Sequence, residues 1–142
     1  MSVIGIVCEF NPFHNGHKHL IDSVKADGDI VVCVMSGNFV QRGEPAIFPK
    51  ETRVKAALLS GIDIVLELPF VYATASAEYF AFNAVKILSD FGCDKIAFGT
   101  ENASIDMLNK VVDVLTDSHF DDELKKQLEM SNEFSLNFHR TK

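Results

Sequence analysis

The sequence has few cysteines, no long apolar run and fewer basic than acidic residues, and each shortage excludes a class of protein. Three cysteines without a C-x-x-C pair fit neither a disulfide framework nor a four-cysteine zinc site, so a reducing compartment is expected. The N-terminus has neither a basic region nor a long apolar stretch, so we predict no signal peptide, no membrane partner and a cytoplasmic protein. The formal net charge is -7, so charge gives no support for a nucleic-acid partner.

The length and composition that remain are those of a globular protein. The chain has 142 residues, of which 47% are hydrophobic, enough for one core without disulfides or a metal. We find no low-complexity stretch and no interdomain linker. We therefore predict one domain over residues 1–130, followed by a short divergent tail over residues 131–142.

Four apolar runs alternate with helical patterns. The runs are nearly continuous and rich in β-branched residues, which is typical of parallel strands covered on both faces. Gly61 and Gly92 mark helix ends, and Ser76 and Ser104 are the expected N-caps of two later helices. This order predicts an α/β fold with a Rossmann-like, doubly wound parallel sheet. The predicted strands are residues 3–8, 30–35, 62–68 and 95–98.

The most distinctive segment, Glu-Phe-Asn-Pro-Phe-His-Asn-Gly-His over residues 9–17, directly follows the first strand. A helix that begins here presents free N–H groups and a partial positive charge to an anion. Gly16 lets the backbone approach a ligand, and His14 and His17 can both donate to the same phosphate group. We predict His14 and His17 as the catalytic residues. Two other interpretations are open, a pair of surface histidines or half of a zinc site, and we assign no metal ligand.

The H-x-G-H motif resembles the nucleotidyltransferase superfamily of adenylyl-transferring enzymes, and longer segments narrow the resemblance. Residues 5–17 and the segment Ser-Gly-Asn-Phe-Val-Gln-Arg-Gly-Glu-Pro-Ala over residues 36–46 are similar to the bacterial tRNA(Met) cytidine acetate ligase family. Glu-Leu-Pro at 67–69 and Phe-Gly-Thr-Glu at 98–101 follow in the family's order. The resemblance covers residues 3–101 well and concerns only the N-terminal part of the family. It implies a sheet of the nucleotidyltransferase type.

The resemblance also implies a reaction. In that family ATP and acetate form acetyl-adenylate and pyrophosphate, and the acetyl group then passes to N4 of the wobble cytidine of elongator tRNA(Met). ATP, acetate and tRNA(Met) are therefore the expected partners of an ATP-dependent ligase. Matched residue by residue, the ATP-binding positions are Val7, Cys8, Glu9, Phe10, Asn11, Pro12, Phe13, His14, Asn15, Gly16, His17, Lys18, His19, Leu20 and Gly99.

The residues agree with the first step of that reaction. Acetate is its own nucleophile, so the protein needs no nucleophilic serine or cysteine and has only to align acetate with the α-phosphorus. Mg²⁺ is expected on the leaving pyrophosphate, although no Walker-type ligand set is present. Arg42, in a turn-rich segment, suits a phosphate or a carboxylate, and Glu101 ends the fourth strand on the ligand side. We assign both to substrate, with a solvated loop or a helix cap as the alternatives.

Several further residues are expected to be structural. Cys8 and Cys33 lie in strands and are predicted to be core residues. Three basic residues near Arg42 fit either a phosphate site or a solvated helix face: Lys50, Arg53 and Lys55. Three phenylalanines are predicted to pack a helix on the sheet: Phe80, Phe82 and Phe91.

Family members are much longer than this chain, so we expect a truncated form that lacks the family's C-terminal part. Two alternatives to the ligase are open. One is another H-x-G-H adenylyltransferase with a different acceptor, and the other is a non-catalytic nucleotide-binding remnant. Phe134, Leu136 and Phe138 alternate in the tail, so we predict that this segment is either disordered or packed against another copy of the chain in self-association.

Overall fold

The computed structural model describes residues 1–100 and 104–129 of the chain. The chain divides into two compact units, Met1–Gly99 and Thr100–Lys142. Glu101 and the tail residues Phe134, Leu136 and Phe138 lie outside the described residues.

The first unit is built on a four-stranded parallel sheet with strand order β3-β2-β1-β4. Each predicted strand is present, with ends that differ by no more than two residues. Ile62 was predicted to begin the third strand, but its N–H donates to the carbonyl of Ala57 and its side chain is buried, so the strand begins later. The strands are β1 (Val3–Cys8), β2 (Ile30–Ser36), β3 (Ile64–Leu68) and β4 (Lys95–Ala97).

Helices cover both faces of this sheet. The first unit contains α1 (Asn15–Val24), α2 (Lys50–Leu59), the short α3 (Phe70–Ala73) and α4 (Ala77–Phe91). On one face Ile21 and Ala57 pack on Val31, Cys33 and Met35 of β2. On the other face Ala73, Ala84 and Leu88 pack on Val32 and Val34. Because neighbouring residues of β2 enter opposite cores, the whole strand is apolar, and the predicted doubly wound fold is confirmed.

Glycines end two of the segments as the sequence predicted. Gly92 closes α4 with φ of 98°, and Gly61 follows α2 with φ of 108°, a left-handed conformation that glycine adopts without a Cβ clash. Ser76 stands at the predicted N-cap of α4, but its side chain makes no capping hydrogen bond. Phe82 and Phe91 were predicted to pack on the sheet and instead are 65% and 45% exposed, since only Phe80 of the three faces the core.

The described part of the second unit is helical. It contains α5 (Ile105–Leu115) and a further helix at residues 120–129. Ser104 caps α5 as predicted, because its hydroxyl accepts a hydrogen bond from the Met107 N–H at 3.2 Å. No helix in the described part of the chain is long and apolar enough to span a bilayer.

Candidate active site

The strand order fixes where a ligand can bind. The chain proceeds from β1 to β2 and β3 on one side and returns to β4 on the other, so the order reverses at β1. In open parallel sheets ligands bind beyond the carboxyl ends of the strands at this point. The segment that follows β1 and begins α1 therefore lies at the expected place. Gly99 follows β4, and apart from its neighbours in the chain no atom of residues 1–100 and 104–129 lies within 4 Å of the position that a Cβ would take there.

His14 and His17 form a reciprocal cap on the N-terminus of α1. His14 is the N-cap residue, and its Nδ1 accepts a hydrogen bond from the Gly16 N–H at 3.1 Å. The Nδ1 of His17 in turn accepts from the His14 N–H at 3.2 Å. The two imidazole rings are stacked, with centroids 3.7 Å apart. The sequence thus places both rings where backbone N–H groups would otherwise lack partners.

These hydrogen bonds determine which ring nitrogens are available to a ligand. A nitrogen that accepts from a backbone N–H carries no proton, so a neutral imidazole in this arrangement has its proton on Nε2. Burial, and secondarily the nearby charge of His14, lowers the pKa of His17 below its usual 6.5. The lowered pKa favours the neutral form of His17, which offers an Nε2–H donor to a ligand.

Gly16 is required by the ring of His14. A Cβ at Gly16 would lie 3.0 Å from Cε1 and 3.1 Å from Nδ1 of that ring. A side chain here would push the ring away from the helix end and weaken the cap. The sequence attributed Gly16 to close approach of a ligand, and the structure adds this second reason.

Phe10 packs against the His17 member of the histidine pair. Its backbone has φ of 48°, unusual for a bulky residue, and its side chain is 2% exposed. The ring packs edge-on against Phe13 and against His17, with centroids 4.9 Å apart in both cases. The next residue, Asn11, accepts a hydrogen bond from the Ile47 N–H through Oδ1 at 2.7 Å. The segment after β1 is therefore held by packing as well as by the cap.

The segment after β2 and the segment that carries the histidines form the two walls of a cleft. Residues 38–46, called the 38–46 loop below, close on themselves through the Ala46 N–H, which donates to the Asn38 carbonyl at 2.9 Å. Inside it the Val40 N–H donates to the Glu44 carbonyl at 2.9 Å. Arg42 lies at the tip, exposed, and no described residue accepts a hydrogen bond from its guanidinium.

Glu9 and Gln41 join the two walls. The Glu9 Oε1 accepts a hydrogen bond from the Gln41 N–H at 2.7 Å. The Gln41 Nε2 donates to the carbonyl of Ala75, between α3 and α4, at 3.2 Å. This carboxylate was predicted to contact ATP, and one of its oxygens is already used to hold the loop that carries Arg42.

Arg53 on α2 is the largest side chain that is almost fully buried, at 1% exposure. Its Nε donates to the Phe48 carbonyl at 3.1 Å, Nη1 donates to the Glu9 carbonyl at 2.6 Å, and Nη2 donates to the Gly37 carbonyl. Burial lowers the pKa of this guanidinium, and neighbouring carboxylates partly oppose that lowering. Neither sequence interpretation of Arg53 is correct, because the side chain is neither solvated nor free to bind a phosphate.

A cleft of about 690 Å³ brings together many of the predicted residues. It also includes five residues that the sequence analysis did not assign to a site. Two of them, Gln41 and Glu44, lie in the same turn-rich segment as Arg42, and that proximity could have identified them. The predicted residues in the cleft are Val7, Cys8, Glu9, Phe10, Asn11, Pro12, His14, His17 and Arg42, and the added ones are Val40, Gln41, Glu44, Ala77 and Phe80.

The other predicted ATP positions lie outside the cleft walls. Phe13 and Leu20 pack against the core, and His19 is exposed on α1. The ammonium of Lys18 pairs with Asp22 one helical turn further on. Asn15 and Gly16 form the first turn of α1, where their backbone rather than their side chains can meet a ligand.

Cys8 lines the cleft and packs on the core, and burial raises the pKa of its thiol well above the usual value.

A second cavity of about 500 Å³ lies between α2 and β3. Its walls include Val54, Leu58 and Val65; it contains none of the predicted ATP or substrate residues, but Lys50 and Lys55, considered above for a phosphate site, line it. The Lys50 ammonium at this cavity pairs with Glu67 at 2.7 Å, which raises the pKa of Lys50. Lys50 is therefore already neutralised, and we place the chemistry in the other cleft.

The residues present do not form a protein cage for a metal ion. Within residues 1–100 and 104–129, no group of three or more histidine, cysteine or carboxylate side chains could hold one. The cleft contains two carboxylates, Glu9 and Glu44. This set fits Mg²⁺ only as an ion that arrives on a triphosphate and keeps most of its water.

The fold and the site together define a class of protein. A parallel α/β sheet whose switch point carries a helix N-terminus is typical of domains that bind nucleotides. The family of HIGH Nucleotidyl Transferase matches residues 1–141, and the chain belongs to this family.

Individual relatives agree with the family. A tRNA(Met) cytidine acetate ligase of Caldicellulosiruptor saccharolyticus is 48% identical over 132 residues, covering 92% of this chain and 32% of that protein. The Acetivibrio thermocellus protein of the same name is 54% identical over 120 residues, covering 82% of this chain and 29% of that protein. The chain thus spans about a third of the length of the curated relatives it matches.

A solved structure shows the same fold. Thermotoga maritima TmcAL bound with alpha-thio ATP is 43% identical, with a TM-score of 0.82, covering 92% of this chain and 33% of that one. The resemblance to the N-terminal part of the ligase family, inferred from the motifs, is confirmed, and so is the fold class.

Proposed function

We propose that the cleft binds ATP and transfers its adenylyl group to acetate. The observation that carries this proposal is the His14–His17 pair, which caps the helix at the switch point through Nδ1, while no described residue is hydrogen-bonded to either Nε2. The solved relative named above was crystallised with an ATP analogue, which supports the choice of nucleotide. In this proposal residues 1–130 form the ATP-binding domain and residues 131–142 a tail.

The proposed step needs alignment and charge stabilisation but no protein nucleophile. An acetate oxygen attacks the α-phosphorus, the bond from that phosphorus to the bridging oxygen breaks, and pyrophosphate leaves with the bond electrons. Acetate is already deprotonated at neutral pH, so no general base is required. The Nε2–H groups and the N-terminus of α1 stabilise the charge that develops on the phosphoryl oxygens.

Arg42 and Mg²⁺ complete the proposed site. Arg42 is the permanently charged cleft residue that has no partner within the described part of the chain, so it is suited to the leaving pyrophosphate or to the acetate carboxylate. Glu9 and Glu44 are the cleft carboxylates beside which Mg²⁺ would be held. It would supply further charge on the leaving group. Glu101 stays a predicted substrate residue.

Transfer of the acetyl group to the wobble cytidine of tRNA(Met) is proposed from the relatives' name. A protein of this type then acts as an ATP-dependent acetate–tRNA ligase. The acidic charge of this chain suggests that tRNA contacts come largely from elsewhere in such a protein. Self-association through the tail and a cytoplasmic location stay predictions, and sedimentation of the chain with and without residues 131–142 tests the first.

Pyrophosphate release from ATP tests the proposed function. We expect release that requires acetate, that is slower with larger carboxylates, and that is lost in His14→Ala but kept in His119→Ala, an exposed histidine of the second unit. Release with another carboxylate or phosphate acceptor, and none with acetate, would establish a different adenylyltransferase. ATP binding without turnover would indicate a non-catalytic domain, and no binding at millimolar ATP would refute the proposal.

A further inference from the structure

We propose that Arg53 is a positioning residue that sets the distance between the two walls of the cleft and thereby places Arg42 against the nucleotide. The inference rests on the proposed function, because ATP affinity is one of its measures. Arg53 itself does not line the cleft, and the hydrogen bonds of its guanidinium go to three backbone carbonyls.

The three acceptors of Arg53 come from three separate segments. The Glu9 carbonyl lies directly after β1, the Gly37 carbonyl directly after β2, and the Phe48 carbonyl in the segment before α2. Gly37 and Phe48 flank the 38–46 loop on either side. One planar side chain therefore joins the base of that loop to the wall that carries the histidines. A lysine has a single ammonium and cannot reproduce this fork.

The contacts continue from Arg53 to the tip of the loop. Arg53 holds the carbonyl of Glu9, and the carboxylate of the same residue accepts from the Gln41 N–H at 2.7 Å. Gln41 is the neighbour of Arg42 in sequence and is also held at the Ala75 carbonyl. Loss of the fork would free both the base and the tip of the loop. Arg42 would then lose the backbone support that holds its segment at the cleft.

A lysine–carbonyl contact provides a matched control at the opposite end of the sheet. The Lys25 Nζ donates to the Gly61 carbonyl at 2.8 Å and to Asp63 Oδ2 at 2.7 Å, just before β3 begins. Lys25→Met removes side-chain hydrogen bonds that tie backbone segments together, as Arg53→Lys does, but far from the cleft. A purely structural role for Arg53 predicts that the two variants behave alike.

The test compares Arg53→Lys with Lys25→Met in the full chain. We expect both to lower Tm, whereas only Arg53→Lys weakens ATP binding, by about tenfold or more, since small displacements in a site cost this much. We also expect faster hydrogen exchange at the Val40, Gln41 and Gly43 amides in Arg53→Lys alone. Equal ATP affinity and equal exchange in the two variants would overturn the proposal.

A double-mutant cycle with Arg42→Ala tests whether Arg53 acts through Arg42. If it does, Arg53→Lys weakens ATP binding much less in the Arg42→Ala background than in the wild type. Additive losses would show that Arg53 does not act through Arg42. A wild-type chain that fails to bind ATP refutes the proposed function, and the exchange comparison alone then decides whether Arg53 holds the loop.

The wild-type chain decides the matter if Arg53→Lys does not fold. The Nε–H resonance of Arg53 should shift during an ATP titration with the same Kd as that of Arg42, because the fork and the loop tip respond together. A shift of the Arg42 resonance with none at Arg53 would contradict the proposal.

Discussion

His14 combines two roles that a pair of substitutions can separate. Its Nδ1 accepts the Gly16 N–H at 3.1 Å and so caps α1, and its Nε2–H is available to a phosphate. Alanine removes both groups. Asparagine keeps an acceptor oxygen at the N-cap, where it is among the best residues, but has no donor at the Nε2 position.

The structure gives a magnitude for each role. Replacing an N-cap residue with alanine costs about 1 kcal/mol, which for a chain of this size lowers Tm by about 3–5 °C. His14→Asn should recover most of that loss. Removing one donor to a developing phosphoryl charge should slow pyrophosphate release by about 10²–10³ in both variants.

Thermal unfolding and pyrophosphate release, measured on the same samples, provide the assay. We expect His14→Asn to be nearly as stable as wild type and as slow as His14→Ala. Recovery of both stability and rate by asparagine would show that His14 only caps the helix. A Tm for His14→Asn as low as that of His14→Ala would show that the cap contributes nothing.

Three further predictions concern the site and its core. The pKa of His17 in the wild type, followed by NMR, lies below 6.5 and rises in His14→Ala. Because the unfolded wild-type chain binds this proton more readily than the folded chain, the free energy of unfolding falls as the pH drops below about 6.5. A His17 pKa above 6.5 in the wild type would contradict this prediction. Gly5→Ala places a Cβ 2.9 Å from Leu88 Cδ1 and costs about 1–3 kcal/mol in urea denaturation, so an unchanged midpoint would refute the packing. The buried thiol of Cys8 reacts slowly with iodoacetamide at pH 8, and rapid alkylation would argue against its raised pKa.

The fold could be predicted because its signals are local. Continuous apolar runs such as Val3–Cys8 follow from burial on both faces, and Gly92 follows from the left-handed end of α4. The short helix α3 carried no comparable signal, since four residues do not establish a helical period. Ile62 is apolar whether it lies in a strand or beneath α2, so its side chain could not mark where β3 begins.

The site could be predicted in part, for a related reason. A motif within one segment identifies His14 and His17. It does not show that the Nδ1 of each ring accepts a hydrogen bond from a backbone N–H at the start of α1. The role of Arg53 depends on carbonyls that lie 44, 16 and 5 residues away in the chain. Backbone acceptors have no side-chain identity, so no sequence pattern reports them. The sequence likewise shows that Glu9 carries a carboxylate. It does not show that this carboxylate accepts a hydrogen bond from the Gln41 N–H.

An ATP titration followed through the imidazole resonances tests the central claim most directly. If the capped pair binds the nucleotide, the resonances of His14 and His17 shift together with one Kd, while that of the exposed His119 does not move. Imidazole resonances that stay unchanged at millimolar ATP with Mg²⁺ would contradict the account.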